Sequence, residues 1–324
     1  MELASRIQLW LRPGTESELS EVMRSSREVW GAGISLEQYA EYHRLIRTHQ
    51  WSKDNFKHLV LVNNKNELLS SCKVYHHRLR VGSELFKLCG IGAVFTPLLN
   101  RGKGYATQML KALLDDLKTS GLDLALLFSD ISPEFYEQFG FRLIPKKDPI
   151  YIFNHKAFKS INRGIKFYRH LPSELLDWHR GYAERGKFFL EREQSYFDLL
   201  SQRIDWHRTY LGYKEQVVIV SEGCRSYLWI DRGESYIQIR DFGSADSEPE
   251  TALNHLLNEL YNKFPFSGIT GWLPKGFERY KFLRLKEKRP RTKTMMMFCA
   301  LNQKANKIFE LEPEEIQFWL ADYF

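Results

Sequence analysis

The 324 residues are 43% apolar and 27% charged, with a net charge of +7 and a pI near 9.0, which excludes a disordered or low-complexity chain and leaves room for two cores. The four cysteines (Cys72, Cys89, Cys224 and Cys299) form no C-x-x-C pair, an argument against a zinc site or disulfide framework and for a reducing compartment. MELASRIQLWLRPG at the start has no long apolar core, so neither a signal peptide nor a membrane span is expected, and the cytoplasm is the simplest address.

In chain order, Arg6–Leu11 alternates and stops at Arg12-Pro13-Gly14, which predicts a strand and turn. Thr15 caps a helix through about Trp30, and Ser35 with Gln38 opens a second through about Thr48. His58–Val62, Glu67–Arg80 and Glu84–Thr96 read as strands. From Gly104 onward, Ala106, Met109, Leu110, Leu113, Leu114 and Leu117 make one apolar helical face that ends at Gly121. Leu122–Phe128 is a continuous apolar run, as in a strand covered on both faces. Ser132–Phe139 is a short helix, and strands follow to about Phe153. The pattern is α/β, a mixed sheet with helices on both sides, and a boundary is expected near 154–165. Beyond it, helical segments are predicted from about Ser173 to Leu211. Strands are predicted near Gln216–Ser221, Tyr227–Ile230 and Tyr236–Asp241, then a helix over Thr251–Lys263. A strand over Thr294–Leu301 and a helix over Pro313–Tyr323 close the chain. The cation-rich Lys281–Lys293 reads as a solvated loop, and a nucleic-acid partner is not expected from it.

The stretch VFTPLLNRGKGYATQML, residues 94–110, joins a strand to a helix through two glycines and two cations. A helix start presents unpaired N–H groups and a partial positive charge, so it suits an anion. It is not a Walker loop, because Gly104 follows Lys103 where Ser or Thr is needed. Nor is it the dinucleotide fingerprint, because Thr107 holds the third glycine position.

Arg101, Gly104 and Ala106 satisfy the Arg/Gln-x-x-Gly-x-Gly/Ala pattern, and the stretch resembles the acetyl-CoA loop of the GNAT N-acetyltransferases. Downstream, Ser129 is followed by Tyr136 seven positions later and then by Gly140-Phe141, which resembles their second motif. Trp30-Gly31, Ser70-Ser71-Cys72 and Ser129-Asp130-Ile131 are similar to the fungal lysine N6-acetyltransferase branch. The two-module layout also resembles the enhanced-intracellular-survival acetyltransferases. The resemblance implies a GNAT domain over 1–155 and a GNAT-like domain over 160–324 that contributes to the acceptor site.

It further implies acetyl-CoA as co-substrate. Backbone at Val94, Phe95 and Thr96 would meet the pantetheine arm and thioester. Gly102, Lys103, Gly104, Tyr105 and Ala106 would hold the pyrophosphate with added charge from Arg101, and Ser129 would reach the pantetheine. Tyr136 would protonate the departing thiolate, since a phenol of ordinary pKa about 10 carries its proton at neutrality. In the enhanced-intracellular-survival relatives the C-terminus enters the active site, which makes the Phe324 carboxylate a candidate base. Glu28, Trp30 and Glu37 are candidates for holding a cationic acceptor. The expected acceptor is lysine or a similar small cationic amine. Protein lysines, aminoglycoside-like polyamines and a non-catalytic CoA-binding role are the alternatives. The histidines show no metal pattern, so no metal is expected, and nothing in the sequence bears on oligomeric state.

Overall fold

The computed structural model describes residues 8–156, 164–210, 216–273 and 276–324. The first residues of the expected opening strand, most of the expected boundary near 154–165, and Leu211 therefore lie outside the described residues. Strand β1 (Leu9–Pro13) precedes helices α1 (Glu16–Trp30) and α2 (Leu36–Thr48), and each helix opens on a capping box, Thr15 with Glu18 and Ser35 with Gln38. A one-turn helix α3 (Ser52–Asn55) leads into a meander of β2 (Phe56–Asn63), β3 (Leu68–Val81) and β4 (Glu84–Phe95). Then come α4 (Tyr105–Thr119), β5 (Leu124–Ser129), the short α5 (Glu134–Glu137) and β6 (Arg142–Leu143).

The remaining elements are β7 (Lys147–Phe153), β8 (Ile165–Tyr168), α6 (Leu175–Ala183), β9 (Phe188–Glu191) and α7 (Gln194–Tyr210). They continue with β10 (Gln216–Ser221), β11 (Ser226–Arg232), β12 (Tyr236–Ser244), α8 (Pro249–Lys263), β13 (Gly268–Gly271), β14 (Leu283–Pro290) and β15 (Met295–Ala300).

These strands build two mixed sheets. One runs β1-β2-β3-β4-β5-β15-β6, with β9 added beside the end of β3, and its β4–β5 pair is parallel. The other runs β14-β7-β13-β12-β11-β10-β8, with β12 and β13 parallel. The sheets do not follow the expected division of the chain near 155. β7 lies before that point and joins the second sheet, whereas β9 and β15 lie after it and complete the first. Hydrogen-bonding edges are filled by whichever strand reaches them, and β15 occupies the edge of β5 that the first 155 residues leave open.

Two other expectations fail. Lys281–Lys293 is not a loop: most of it is β14, an exposed edge strand paired to β7. Its lysines and arginines sit where charge discourages edge-to-edge pairing. Pro313–Tyr323 is not an α-helix. It opens on a turn at 313–315 and then runs without regular structure to a 3-10 turn at Leu320–Asp322, burying Ile316, Phe318, Trp319 and Ala321. Tertiary contacts override its helical spacing, the buried ion pair between Asp322 and Arg192 among them.

Helix α4 buries Met109, Leu110, Leu113, Leu114 and Leu117 on one face of the first sheet, each large side chain contributing roughly 1.5–3 kcal/mol. On the other face, α1 and α2 pack Leu19, Val22 and Tyr39 around Val60, Val62 and Phe95, with Trp206 of α7 joining them. The central strands are thus covered on both sides, and their far end is left for the site.

Candidate active site

β4 and β5 pair from Leu88–Leu124 to Ile91–Leu127, and the pairing ends there although both strands continue. The sheet therefore splits at the ends of these strands. At the same level β4 slips in register against β3: Lys73 faces Gly92 and Ser71 faces Phe95. Ala93 and Val94 together oppose Cys72, a bulge in which Ala93 takes a φ of 48°. A bulge of this kind breaks the ladder and re-aims backbone groups, which is why bulges recur beside active sites. The side chains divide accordingly: Val94 packs with the α4 side of the sheet, whereas Ala93 lines a cavity on the opposite side.

The candidate anion loop follows β4. Gly102 and Gly104 have φ of 75° and 78°, and Gly104 is the N-cap of α4 with no side-chain cap on the helix start. The first N–H groups of α4 are thus open to a ligand, and a Cβ at Gly102 would meet nothing within 4 Å. Arg101 and Lys103 are exposed, and Arg101 Nε donates to Thr96 O at 3.1 Å. Tyr105 and Ala106 are half-buried in the first turn. Ser70 Oγ donates to Phe95 O at 2.8 Å and lies 3.1 Å from the Thr96 hydroxyl, which fixes the end of β4. This geometry fits the phosphate end of acetyl-CoA. The Ser129 hydroxyl donates to Ile131 O and accepts from Ile131 N–H, so it closes its own turn and keeps one lone pair for a ligand N–H.

Tyr136 sits on α5, buried on the α4 side of the split with Cys72, Ile91 and Met109. Burial, with Cys72 and Asp130 adding to it, pushes its phenol up to about 12. No hydrogen bond to its hydroxyl is found among the described residues, so the proton is available to a ligand.

On the opposite side of β4 lies a cavity of about 240 Å³. Its walls are aromatic, with Trp30, Tyr42, Tyr75, Tyr196, Trp206 and Phe324 among them. Phe324 closes it at the split. Its ring stacks on Tyr75 at 5.1 Å and lies 5.3 Å from Phe128 of β5, directly over Gly90. Its carbonyl end lies beside Gly92, where an added Cβ would be 3.2 Å from the oxygen. The segment is held in place by a buried cluster. Arg192, just after β9, donates to both carboxylate oxygens of Asp322 at 2.9 Å and to Asp241 of β12 at 2.6 Å. Tyr227 adds a 2.6 Å bond to Asp241.

The cavity is cationic. Lys73 of β3 and Arg203 of α7 line it, and no Asp or Glu side chain does so among the described residues. Lys73 Nζ lies 3.0 Å from His43 Nδ1, and burial, with Arg203 adding to it, pulls the amine down to about 7. Burial likewise pulls His43 well below the usual imidazole range. Of the three residues expected to hold a cationic acceptor, only Trp30 reaches the cavity. Glu28 and Glu37 point to solvent from α1 and α2. Sequence reasoning missed Lys73, although a lysine inside the apolar run LLSSCKVY signals an unusual environment. Arg203 carries no such signal. A wider cleft of about 940 Å³ lies beyond Trp51 and His77, but its Arg78 and Arg80 pair with Glu191 and nothing from the end of β4 lines it.

Known proteins resemble this chain in family and fold. Residues 11–144 match the family described as the Acetyltransferase (GNAT) domain. A relative from Yarrowia lipolytica named "Lysine acetyltransferase" is 28% identical over 170 residues, covering 45% of this chain, which spans only 43% of that protein's length. A GCN5-related N-acetyltransferase of Kribbella flavida superposes with a TM-score of 0.69 at 14% identity, over 94% of this chain and 74% of that one. Eis1 of Mycobacterium abscessus does so with a TM-score of 0.61 at 14% identity, over 92% and 74%. The two-sheet fold is therefore shared, over nearly the whole chain, with these solved structures. Among the described residues no group of three or more His, Cys, Asp or Glu side chains is placed to hold a metal, and no helix is long and apolar enough to cross a membrane.

Proposed function

We propose that the chain transfers the acetyl group of acetyl-CoA to the amine of lysine or a similarly small amine, by direct attack on the thioester. The observation that carries this reading is the split between β4 and β5, which has an open phosphate-suited loop on one side and a small aromatic cavity on the other. The Yarrowia relative, named for lysine acetylation, supports the acceptor class. At about 240 Å³ the cavity falls below the roughly 300–1,000 Å³ of sites for drug-sized ligands, which speaks against aminoglycoside-like polyamines.

In this mechanism the neutral amine adds to the thioester carbonyl carbon at the bulge. Backbone N–H groups at Ala93–Thr96 stabilise the oxyanion, and the C–S bond then breaks. Tyr136 gives its proton to the leaving sulfur, and the carboxyl group of Phe324 accepts the proton that the attacking nitrogen sheds. The products are an amide and the free thiol of CoA.

Thiol release from acetyl-CoA, measured with lysine and a panel of amines, tests this. Tyr136→Phe is expected to lower kcat by roughly 100-fold or more while CoA binding persists. Equal turnover in the variant removes Tyr136 as the acid. No release with any amine, from a protein that binds acetyl-CoA, overturns the enzyme reading.

A further inference from the structure

Two cationic side chains, the buried Lys73 and the half-buried Arg203, line the acceptor cavity, and no Asp or Glu side chain does so among the described residues. Arg203 projects from α7 and donates through Nε to Tyr42 Oη at 3.1 Å and through Nη2 to Tyr323 O at 3.2 Å. Both partners are neutral. A guanidinium has five N–H donors, so three remain, and among the described residues none of them meets a carboxylate. Lys73 is the second cation, and its one hydrogen-bond partner, His43, is also neutral. An ion taken out of water without a counter-ion is strongly disfavoured, and proteins keep such charges where a ligand completes them. Elsewhere in this chain the contrast is plain: Arg192, which is almost fully buried, is matched by two carboxylates, whereas the half-buried Arg203 meets none among the described residues.

We propose that Arg203, backed by Lys73, is a carboxylate-binding subsite that makes the acceptor an amine bearing its own carboxylate, and so selects an amino acid over a simple diamine. This inference rests on the acetyltransfer reading above and names what the same cavity recognises. The guanidinium fork matches a carboxylate in a two-point geometry that a lone ammonium does not offer. The aromatic walls at Tyr75, Tyr196 and Trp206 suit an aliphatic chain between the two ends of such a molecule. The amine end would lie towards Ala93 and the thioester, and the carboxylate end towards α7. A second ammonium in place of the carboxylate would face Arg203 and Lys73 and be repelled.

The test compares L-lysine with cadaverine, which is lysine without its carboxylate, and with lysine methyl ester, in which the carboxylate is neutralised. Equilibrium binding to the CoA-saturated full chain is measured alongside thiol release. Lysine should bind at least roughly tenfold more tightly than either analogue, and Arg203→Gln should reduce that preference to about one. Arg203→Lys, which keeps the charge but not the fork, should retain part of it. Equal binding of lysine and cadaverine to the wild type, or a preference that survives in Arg203→Gln, overturns the subsite. Because binding is read without turnover, selective binding with no thiol release would leave the subsite standing and bring down the acetyltransfer reading. Should Arg203→Gln fail to fold, the wild-type comparison of the three ligands still decides the matter.

Discussion

Two residues at the split show how little space the site allows. A Cβ added to Gly90 would come within 2.3 Å of the Phe324 ring, closer than any real contact. Gly90→Ala is therefore expected to displace that ring, costing about 1–3 kcal/mol of stability. Melting temperature and thiol release should fall together, and an unchanged melting curve would show that Phe324 does not rest there. Lys73 carries a pH signature. Its folded-state pKa of about 7 lies below the unfolded value of about 10.4, so the unfolded chain binds more protons between these two values. Stability should rise with pH across that window, by up to about 5 kcal/mol from this group. Denaturant titrations at pH 7 and pH 10 should show the rise in the wild type and a flatter profile in Lys73→Met. The same slope in both would mean that Lys73 is solvated.

At the scale of elements, the segment closing the chain is held by charge as much as by packing. Arg192 ties β12 to the 3-10 turn at Leu320–Asp322 through two carboxylates. Arg192→Met leaves Asp241 and Asp322 buried without a counter-charge, and a loss of about 3–5 kcal/mol is expected. Chemical denaturation measures it. A loss under about 1 kcal/mol would mean that the cluster opens to water. Burial alone would raise the Asp241 pKa, but Arg192 and His179 overcome it and hold the group at about 2. Its folded pKa is depressed, so its contribution is fully present above about pH 4 and is lost as pH falls through about 2. The acid-induced loss in that window should be about 2 kcal/mol and should disappear in Asp241→Asn. Much at this scale was legible in the sequence. Capping residues Thr15 and Ser35 marked two helix starts, and the apolar face of α4 with Gly121 beyond it marked the third. Strands β9, β13 and β14 were not legible, because four-residue strands and a charged edge strand carry no periodic apolar signal of their own.

For the whole molecule, the exchange of strands between sheets has a physical consequence. A fragment of residues 1–155 would lack β15 and bare the edge of β5, and would carry β7 with no sheet to join. Such a fragment is expected to aggregate or remain unfolded, and the full chain to melt in one transition. Circular dichroism and calorimetry check both. A soluble, cooperatively folded fragment would show that the GNAT domain is independent of the second sheet and of β15.

Taken alone, the amino-acid sequence determined the elements around the glycine-containing loop before α4 and the resemblance of Arg101, Gly104, Ala106 and Tyr136 to the GNAT motifs. Those features are local: a glycine that takes positive φ, a cap, or an apolar face is written within a few consecutive residues. The aromatic cavity is not local. Lys73, Arg203 and Phe324 meet only because β3, α7 and the closing segment converge at the split between β4 and β5. Whether an acid or a cation faces the cavity depends on which sides of three separate elements turn inward. Packing and charge pairing between residues far apart in the chain settle that, and no neighbouring residues record it.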